Sequence, residues 1–433
     1  MSSEVIGIIG VVVLIALICC RIWVGAALAI VGFFGIVIMN SWRTAFGILV
    51  TAPFSNLDNY VTTAIPMFTL MGMIIAETSI GRNLFEFANK FLGRYKGGVA
   101  SATVVAAGLM GAITGSDNVS CVIMSKLALP ELKRLKYQDS LSCASVAAGA
   151  PLAILIPPSM AFIMYAMLTE ESVGDLFMAG IVPGVIMVIA FVVAIYVACR
   201  INPNLGPKGE KFSRQEKTRA LVGVIPVVIL FVIVLGSIYI GICSATEAGA
   251  LGSLGALIIA MISHDMSWKK LGKILKETVL ATGFVIFMLV GTYVFIKFIS
   301  LSKLPFLITN FVISLPVHRS VILLLVAVMY IILGMLMPQI PMMILTVPLL
   351  FPAMVALGYD VIWFGVFVVM MMALGAVSPP IGMDAFIVSG ISKVPVTTIY
   401  KGLWPFIIAD IVVILVCCVI PELVTWLPSV MIR

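Results

Sequence analysis

The 433-residue sequence has little charge: only 10% of its residues are Asp, Glu, Lys or Arg, whereas 62% are hydrophobic. Water-soluble domains carry about 25% charged residues, so this composition excludes a soluble globular fold. Apolar runs of 17 or more residues recur along the chain, and each is long enough to cross roughly 30 Å of hydrocarbon. The sequence therefore predicts an all-α polytopic membrane protein.

The usual elements of catalysis and of metal binding are also missing. Both histidines, His264 and His318, fall in predicted loops, and none of the eight cysteines has metal-ligand spacing. The sequence contains no GxSxG, HExxH or GxxxxGK[ST] motif. We therefore expect no enzyme activity, no catalytic residue, no cofactor and no metal site other than one for Na⁺. Energy for any uphill transport would come from an ion gradient.

Ten apolar segments are predicted to be full spans. The opening stretch MSSEVIG has no basic residue before the first of them, which argues against a cleaved signal peptide and favours a retained span. The predicted spans cover residues 4–20, 23–40, 60–80, 138–168, 176–199, 220–241, 246–263, 279–300, 360–392 and 402–420.

Two further apolar segments, 98–130 and 320–352, are each interrupted midway. The interruptions read GSDN at 115–118 and MPQIP at 337–341, and they leave halves of about 15 residues. Such halves are too short to cross the membrane, so we predict two re-entrant helical hairpins.

The distribution of positive charge predicts an orientation. We place residues 81–97, 131–137, 200–219, 264–277 and 393–401 on the same side as Arg21, together with Lys126 of the first hairpin. That side then holds 21 Lys and Arg residues, and the other side holds four, at Arg43, Lys303, Arg319 and Arg433. Because cytoplasmic loops carry the excess of Lys and Arg, we expect a multi-pass protein of a bacterial or archaeal inner membrane with both termini outside. The net charge of +7 thus reports orientation in a lipid bilayer and not a nucleic-acid partner.

The sequence repeats itself at an interval of 222 residues. This shift aligns Pro130 with Pro352, Tyr137 with Tyr359, and the prolines at 157–158 with those at 379–380. We predict a first repeat at 1–200, a cytoplasmic linker at 201–219 and a second repeat at 220–433. Each repeat has five crossings and one hairpin, so the second copy is inserted upside down, as in many secondary transporters.

The chain also contains two spans that are broken by prolines. The stretch GAPLAILIPPSM at 149–160 interrupts the span 138–168, and SPPIGM at 378–383 interrupts the span 360–392. Proline removes a helix hydrogen bond, and the carbonyls it frees inside a membrane need new partners. Four breaks, two hairpin tips and two loops, can therefore supply oxygen atoms to a cation.

The candidate Na⁺ and substrate residues are located at these breaks. The first predicted Na⁺ site consists of Gly115, Ser116, Asp117, Asn118 and Gly149. The second consists of Met337, Pro338, Gln339, Gly375, Ser378 and Gly382. The predicted substrate site consists of Asn118, Pro157, Pro158, Ser159, Pro379, Pro380 and Asp384.

Asp117 has two interpretations. An acidic residue at membrane depth is a functional candidate by default, but Asp is also a preferred residue at a helix N-terminus. A direct role in cation binding and a role in capping the returning hairpin helix therefore both remain open.

Several of these stretches, in combination, resemble the large membrane subunit of TRAP (tripartite ATP-independent periplasmic) transporters. They are GAITGSDNVSCVIMSKLALPELKRLKY, AILIPPSMAFIMY, SATEAGALGSLGAL, LGMLMPQIPMMILTVPLLFPAMVALGYD and SPPIGMDAFIVSG. The resemblance implies an elevator-type carrier coupled to Na⁺, with Na⁺ at the two hairpin tips and their facing loops. It also implies a small membrane subunit, a periplasmic substrate-binding protein and a small carboxylate substrate.

Other functions are compatible with the same architecture. A stand-alone ion-coupled anion symporter would need no binding protein. A channel, or a scaffold subunit without transport activity, would leave the paired hairpins without a purpose.

Overall fold

A computed structural model describes residues 2–20 and 22–431, and the regular secondary structure within them is helical apart from an isolated bridge between Lys96 and Lys208. Arg21 and Arg433, which enter the predicted charge distribution, lie outside the described residues. The prediction of an all-α membrane protein is confirmed.

The helices of the first half end with a long, apolar helix that precedes the linker. They are α1 (Ser3–Cys19), α2 (Val24–Met39), α3 (Trp42–Leu57), α4 (Ala64–Ala76), α5 (Ile80–Leu92), α6 (Gly98–Thr114), α7 (Asp117–Arg134), α8 (Asp139–Gly149), α9 (Leu152–Leu155), α10 (Met160–Thr169) and α11 (Val173–Ile201).

The second half begins with a capped helix, since Ser213 and Glu216 form a capping box. Its helices are α12 (Arg214–Tyr239), α13 (Ala245–Ile262), α14 (Trp268–Leu301), α15 (Leu304–Ser314), α16 (Arg319–Leu336), α17 (Gln339–Ala356), α18 (Val361–Val377), α19 (Met383–Ser392), α20 (Val396–Val419) and α21 (Glu422–Ser429).

Within the described residues, seven helices are long and apolar enough to cross a membrane, or up to nine if each of two bent pairs is one span. The seven include α16 and α17, which the sequence predicts to be the two arms of a hairpin. The number of ten full spans stays a prediction.

Both predicted hairpins form two helices joined by a short connector. Residues 115–116 join α6 to α7, and residues 337–338 join α16 to α17. Both predicted broken spans are interrupted: the α8–α9 segment meets α10 at an angle of 40°, and residues 378–382 separate α18 from α19.

The helix boundaries repeat with the predicted interval. Helix α17 begins and ends 222 positions after α7, and the Pro157–Pro158 and Pro379–Pro380 peptide bonds are both cis. The repeat and its inverted orientation stay predictions.

Three elements differ from the sequence-based expectation. Helix α3 was not expected, because Arg43 and Pro53 interrupt its apolar pattern; Ser41 caps it by accepting a hydrogen bond from the Thr44 amide at 3.2 Å. Helix α14 starts at Trp268, well before the predicted span at 279, because Ser267 caps its polar first turns. Helix α12 starts at Arg214, so the end of the predicted linker is helical.

The first hairpin lies deep in the protein because its first arm is built of small residues. Nearly all of α6 is buried, and a Cβ atom on Gly111 would lie 2.8 Å from that of Ala153 on α9. Small residues let helix backbones approach closely inside a membrane. The same packing holds the hairpin connector beside the broken α8–α10 segment.

Candidate functional site

The two hairpin connectors meet at one cavity of about 390 Å³. Thr114 to Val119 line it from the first hairpin, and Met337 to Pro341 line it from the second. Pockets of roughly 300–1,000 Å³ hold small organic ligands. Two segments that are more than 200 residues apart in the chain thus build a single site.

The first connector makes its turn at Gly115. Gly115 has φ +60°, a left-handed conformation that strains other residues, and a Cβ atom there would lie 2.9 Å from the Pro158 carbonyl oxygen. The Gly115 carbonyl accepts a hydrogen bond from the Met160 amide at 3.3 Å. The first tip and the first proline loop are therefore in direct contact.

Asp117 is the first residue of α7 and lines the cavity. One of its carboxylate oxygens accepts a hydrogen bond from the Asn118 amide at 2.7 Å, as expected for an acid at a helix N-terminus. Asn118 itself is exposed at the cavity. Both interpretations of Asp117 stay open, because a carboxylate can accept from the backbone and still face the cavity with its second oxygen.

The second connector contributes Met337 and Pro338, both in extended conformation, and Gln339 begins α17. The side chain of Gln339 lines the same cavity as the Asp117 carboxylate. The Gln339 Nε2 atom is enclosed and donates no hydrogen bond to any of the described residues. Side chains from the two hairpins therefore approach each other inside the cavity.

The two serines of the proline loops hydrogen-bond to their own backbone. The Ser159 hydroxyl donates to the Ile154 carbonyl at 2.5 Å, and the Ser378 hydroxyl donates to the Leu374 carbonyl at 2.7 Å. In the second loop, the Tyr400 hydroxyl also lies 2.8 Å from the Pro380 carbonyl oxygen. Ser159, Ser378, Pro380 and Tyr400 shape the loops and do not line the cavity, whereas Ile154 does line it.

Asp384 lies in the first turn of α19 and is 0% exposed. Neither of its carboxylate oxygens has a hydrogen-bond partner within the described residues. Its chain neighbour Met383 lines the cavity. A buried, unpaired charge is costly, so this carboxyl group needs a proton or a cation.

Some of the residues predicted from the sequence line the cavity, and others do not. The residues that line the cavity are Gly115, Ser116, Asp117, Asn118, Met337, Pro338 and Gln339. The residues that do not are Gly149, Pro157, Pro158, Ser159, Gly375, Ser378, Pro379, Pro380, Gly382 and Asp384. Gly149 packs on Ala107 of α6, and Gly375 packs on Gly334 of α16.

Sequence reasoning missed one wall of the cavity, which comes from α4 and α14. Its residues are Thr69, Gly72, Met73, Ala281, Phe284, Val285 and Met288. Both helices read as ordinary apolar spans, so the only available signal was the small and polar pair Thr69 and Gly72 on one helical face. Gly72 lets α4 approach the first tip, since its Cβ would lie 3.0 Å from the Thr114 Cα.

The electrostatics of the cavity are simple. Asp117 is the only charged side chain among the described residues that line it, and the lining includes no Lys, Arg or His. No cluster of three or more His, Cys, Asp or Glu suited to a metal ion occurs in the described part of the chain. The polar side chains that line the cavity are those of Thr69, Thr114, Ser116, Asp117, Asn118 and Gln339.

The sequence is similar to those of known transporter permeases. A family model described as the DctM component of tripartite ATP-independent periplasmic transporters matches residues 11–423. The chain is 28% identical to the sialic acid TRAP transporter large permease SiaM of Vibrio cholerae, over 94% of both chains. It is 29% identical to the C4-dicarboxylate TRAP transporter large permease DctM of Pseudomonas aeruginosa, over 87% of this chain and 88% of that one.

Solved structures show similarity of fold. The YdaH transporter of Alcanivorax borkumensis superimposes with a TM-score of 0.61 at 14% identity, over 89% of both chains. MtrF of Neisseria gonorrhoeae superimposes with a TM-score of 0.56 at 12% identity, over 86% of this chain and 84% of that one.

Proposed function

We propose Na⁺-coupled uptake of a small carboxylate for this chain, which belongs to the DctM family, the large permeases of TRAP transporters. The relatives named above are transporter permeases and not enzymes. The observation that carries the proposal is the cavity between the two hairpin tips, in which Asp117 is the one charged side chain among the described lining residues.

The residues present fit Na⁺ as the coupling ion. Broken helices in secondary transporters offer carbonyl oxygens and partial charges to ions and substrates near the membrane midplane. The first tip adds the carboxylate of Asp117 and the amide oxygen of Asn118, and the second tip adds the amide of Gln339. Asp384 supplies a buried carboxyl group whose oxygen atoms have no hydrogen-bond partner among the described residues. A cation in this region would offset negative charge that the protein itself does not neutralise.

Two Na⁺ ions would supply enough energy for uphill uptake. Each positive charge that moves across the membrane down a potential of 100 mV releases about 2.3 kcal/mol. Two ions therefore release roughly 4–5 kcal/mol before the concentration gradient is counted. A monoanionic carboxylate that enters with the two ions costs about 2.3 kcal/mol at the same potential. The remaining energy of about 2.3 kcal/mol supports roughly 40-fold accumulation, since each tenfold step costs about 1.4 kcal/mol.

The cavity favours a substrate with one carboxylate and an apolar body. Its wall from α4 and α14 is largely apolar, and its lining contains no cationic side chain of a described residue. The helix N-termini at Asp117 and Gln339 offer only partial positive charge. A bound Na⁺ would therefore provide the main attraction for the carboxylate, which links ion binding to substrate binding.

TRAP large permeases work with a small membrane subunit and a periplasmic binding protein. We propose the same two partners for this chain, with the binding protein delivering the solute from outside. The alternative is a stand-alone ion-coupled symporter, for which the fold alone would suffice.

Reconstitution distinguishes these functions. Proteoliposomes that contain the large and small subunits are given an inward Na⁺ gradient and a panel of labelled carboxylates, each with and without its binding protein. We expect accumulation only with Na⁺ outside and binding protein present, and none when K⁺ replaces Na⁺. Accumulation by the large subunit alone would establish the stand-alone symporter. Accumulation that is indifferent to Na⁺ would overturn ion coupling as proposed.

A further inference from the structure

A second cavity, of about 510 Å³, lies on the predicted cytoplasmic side. It shares no lining residue with the cavity between the hairpin tips, which we call the transport cavity. We call the second cavity the basic pocket, because five cationic side chains line it: Arg94, Lys96, Arg200, Lys208 and Lys211. They come from three segments, namely the turn after α5, the end of α11 and the linker before α12. All five are exposed.

None of these five cations forms an ion pair with an acidic side chain in the part of the chain that the structure describes. The ion pairs of the described residues involve other cations, at Lys90, Arg134 and Lys273. Glu210 stands between Lys208 and Lys211 in sequence, but it pairs with Arg134 at 3.0 Å. The basic pocket therefore has five positive charges and no carboxylate within ion-pair distance.

The backbone fixes this arrangement. The Gly97 amide donates to the Gly206 carbonyl at 3.0 Å, and the Gly209 amide donates to the Gly93 carbonyl at 3.0 Å. Between these two bonds, Lys96 and Lys208 are paired directly across an antiparallel bridge. Like charges in that position repel each other, and an anion bound between them would relieve the repulsion.

Aromatic rings orient both arginines at the rim. The Arg94 guanidinium lies over the Tyr95 ring, 4.6 Å from its centroid. The Arg200 guanidinium lies 5.9 Å from the Tyr196 centroid and donates to the Tyr196 hydroxyl at 3.3 Å. A guanidinium held in this way presents its remaining N–H groups to a phosphate in a fixed geometry.

An apolar surface leads from the pocket along α11. Ile189, Val193 and Val197 are 57%, 53% and 48% exposed. Residues three or four apart lie on one face of a helix. Arg200 lies on the same face, three residues after Val197, and lines the basic pocket. A phospholipid can place its acyl chain on this apolar surface and its phosphate among the cations. A free phosphate would contact the cations only.

We propose that the basic pocket binds the headgroup of an anionic phospholipid from the cytoplasmic leaflet. That leaflet is the one rich in anionic lipid, and basic pockets at its level bind such headgroups. The lipid would hold the α5 turn, the end of α11 and the linker together, since all three contribute cations. This site is independent of the transport cavity and of the ion that drives transport.

Native mass spectrometry of the purified full-length protein tests the proposal. The protein is titrated with phosphatidylglycerol, with phosphatidylcholine of the same acyl chains, and with inorganic phosphate. We expect preferential binding of phosphatidylglycerol. The variant K208Q/K211Q should weaken that binding roughly 30-fold, given the usual contribution of each lysine near an anionic surface. R200Q tests the same pocket from α11.

The matched control is K269Q/K276Q, which removes two exposed cations from the predicted cytoplasmic end of α14. It should leave phosphatidylglycerol binding unchanged. Equal weakening by both double variants would reduce the effect to general surface charge and overturn the site. Competition by millimolar phosphate, without a preference between the lipids, would assign the pocket to a soluble anion. If K208Q/K211Q no longer co-purifies with the small subunit but binds phosphatidylglycerol as before, the basic pocket is assigned to a protein partner.

Discussion

Replacement of Asp117 by Asn separates the two roles that the structure leaves open for this residue. Asn has nearly the same shape, and its oxygen can still accept the hydrogen bond from the Asn118 amide that Asp117 now accepts at 2.7 Å. Asn and Asp are about equally good at helix N-termini, so α7 should keep its start. What the substitution removes is the only charge among the described residues lining the cavity.

The loss of Na⁺ binding free energy expected in D117N follows from the position of the Asp117 charge. Two unit charges 4 Å apart attract each other by about 4 kcal/mol at an effective dielectric constant of 20 and by about 1 kcal/mol in bulk water. The cavity is polar at Asp117 and largely apolar elsewhere, so an intermediate loss of about 2 kcal/mol is reasonable. Such a loss raises the Na⁺ concentration for half-maximal uptake roughly 30-fold.

The assay is uptake by proteoliposomes as a function of external Na⁺, together with the thermal stability of the purified protein. Asp139→Asn is the matched control, because Asp139 is likewise the first residue of its helix but is exposed and lies outside the cavity. We expect D139N to keep the parent Na⁺ dependence. If D117N also keeps it within twofold, Asp117 binds no cation and serves only as a cap.

Three further changes have defined outcomes. Alanine in place of both Pro379 and Pro380 should favour a continuous helix and abolish uptake at unchanged membrane insertion, so normal uptake would contradict the role of the break. Gly115→Ala places a Cβ atom on a residue with φ +60° and against the Pro158 carbonyl oxygen, so we expect the free energy of unfolding to fall by about 1–2 kcal/mol. Gly272→Ala should change it little, because no atom lies within 4 Å of the added Cβ. Hydrogen bonds from a serine hold the pKa of Asp265 below its usual 3.8, so its stabilisation is present above pH 3.8 and is lost as the pH falls through the lower folded value. Asp265→Asn should therefore lower the melting temperature at pH 7 and lose that effect as the pH falls through the lowered pKa of the folded state.

The hairpins and the broken spans could be predicted because each leaves a local mark. A span that stops midway at GSDN or MPQIP, or at a pair of prolines, cannot be a continuous helix, whatever packs around it. The four tip residues Gly115 to Asn118 line the cavity for the same reason: a turn inside a membrane must face a cavity or protein. Local chemistry sufficed for these features.

The remainder of the site depends on packing between distant segments. Phe284 and Met288 read as ordinary lipid-facing or core residues, and only the approach of α14 to the hairpins makes them part of a cavity wall. The hydroxyls of Ser159 and Ser378 were candidate ligands by type, but each donates to a carbonyl of its own chain segment. Which polar group remains free for a ligand is decided by its neighbours in space.

The two proline loops share a sequence pattern but not an environment. Pro157 and Pro158 are buried, and the backbone beside them bonds to the first hairpin tip, whereas Pro380 is exposed and its carbonyl contacts the Tyr400 hydroxyl. A strict repeat of sequence would give both loops the same surroundings in a symmetric structure. In the proposed carrier, such a difference would reflect the one conformation that the chain adopts here. A carrier that alternates between two states needs such an asymmetry, because one half must be closed while the other is accessible. On this reasoning, a cysteine in place of Ile381, which is 41% exposed beside Pro380, should change its reactivity towards a water-soluble thiol reagent when Na⁺ and substrate are added. The same substitution at the buried Pro158 should stay unreactive until the opposite state is populated.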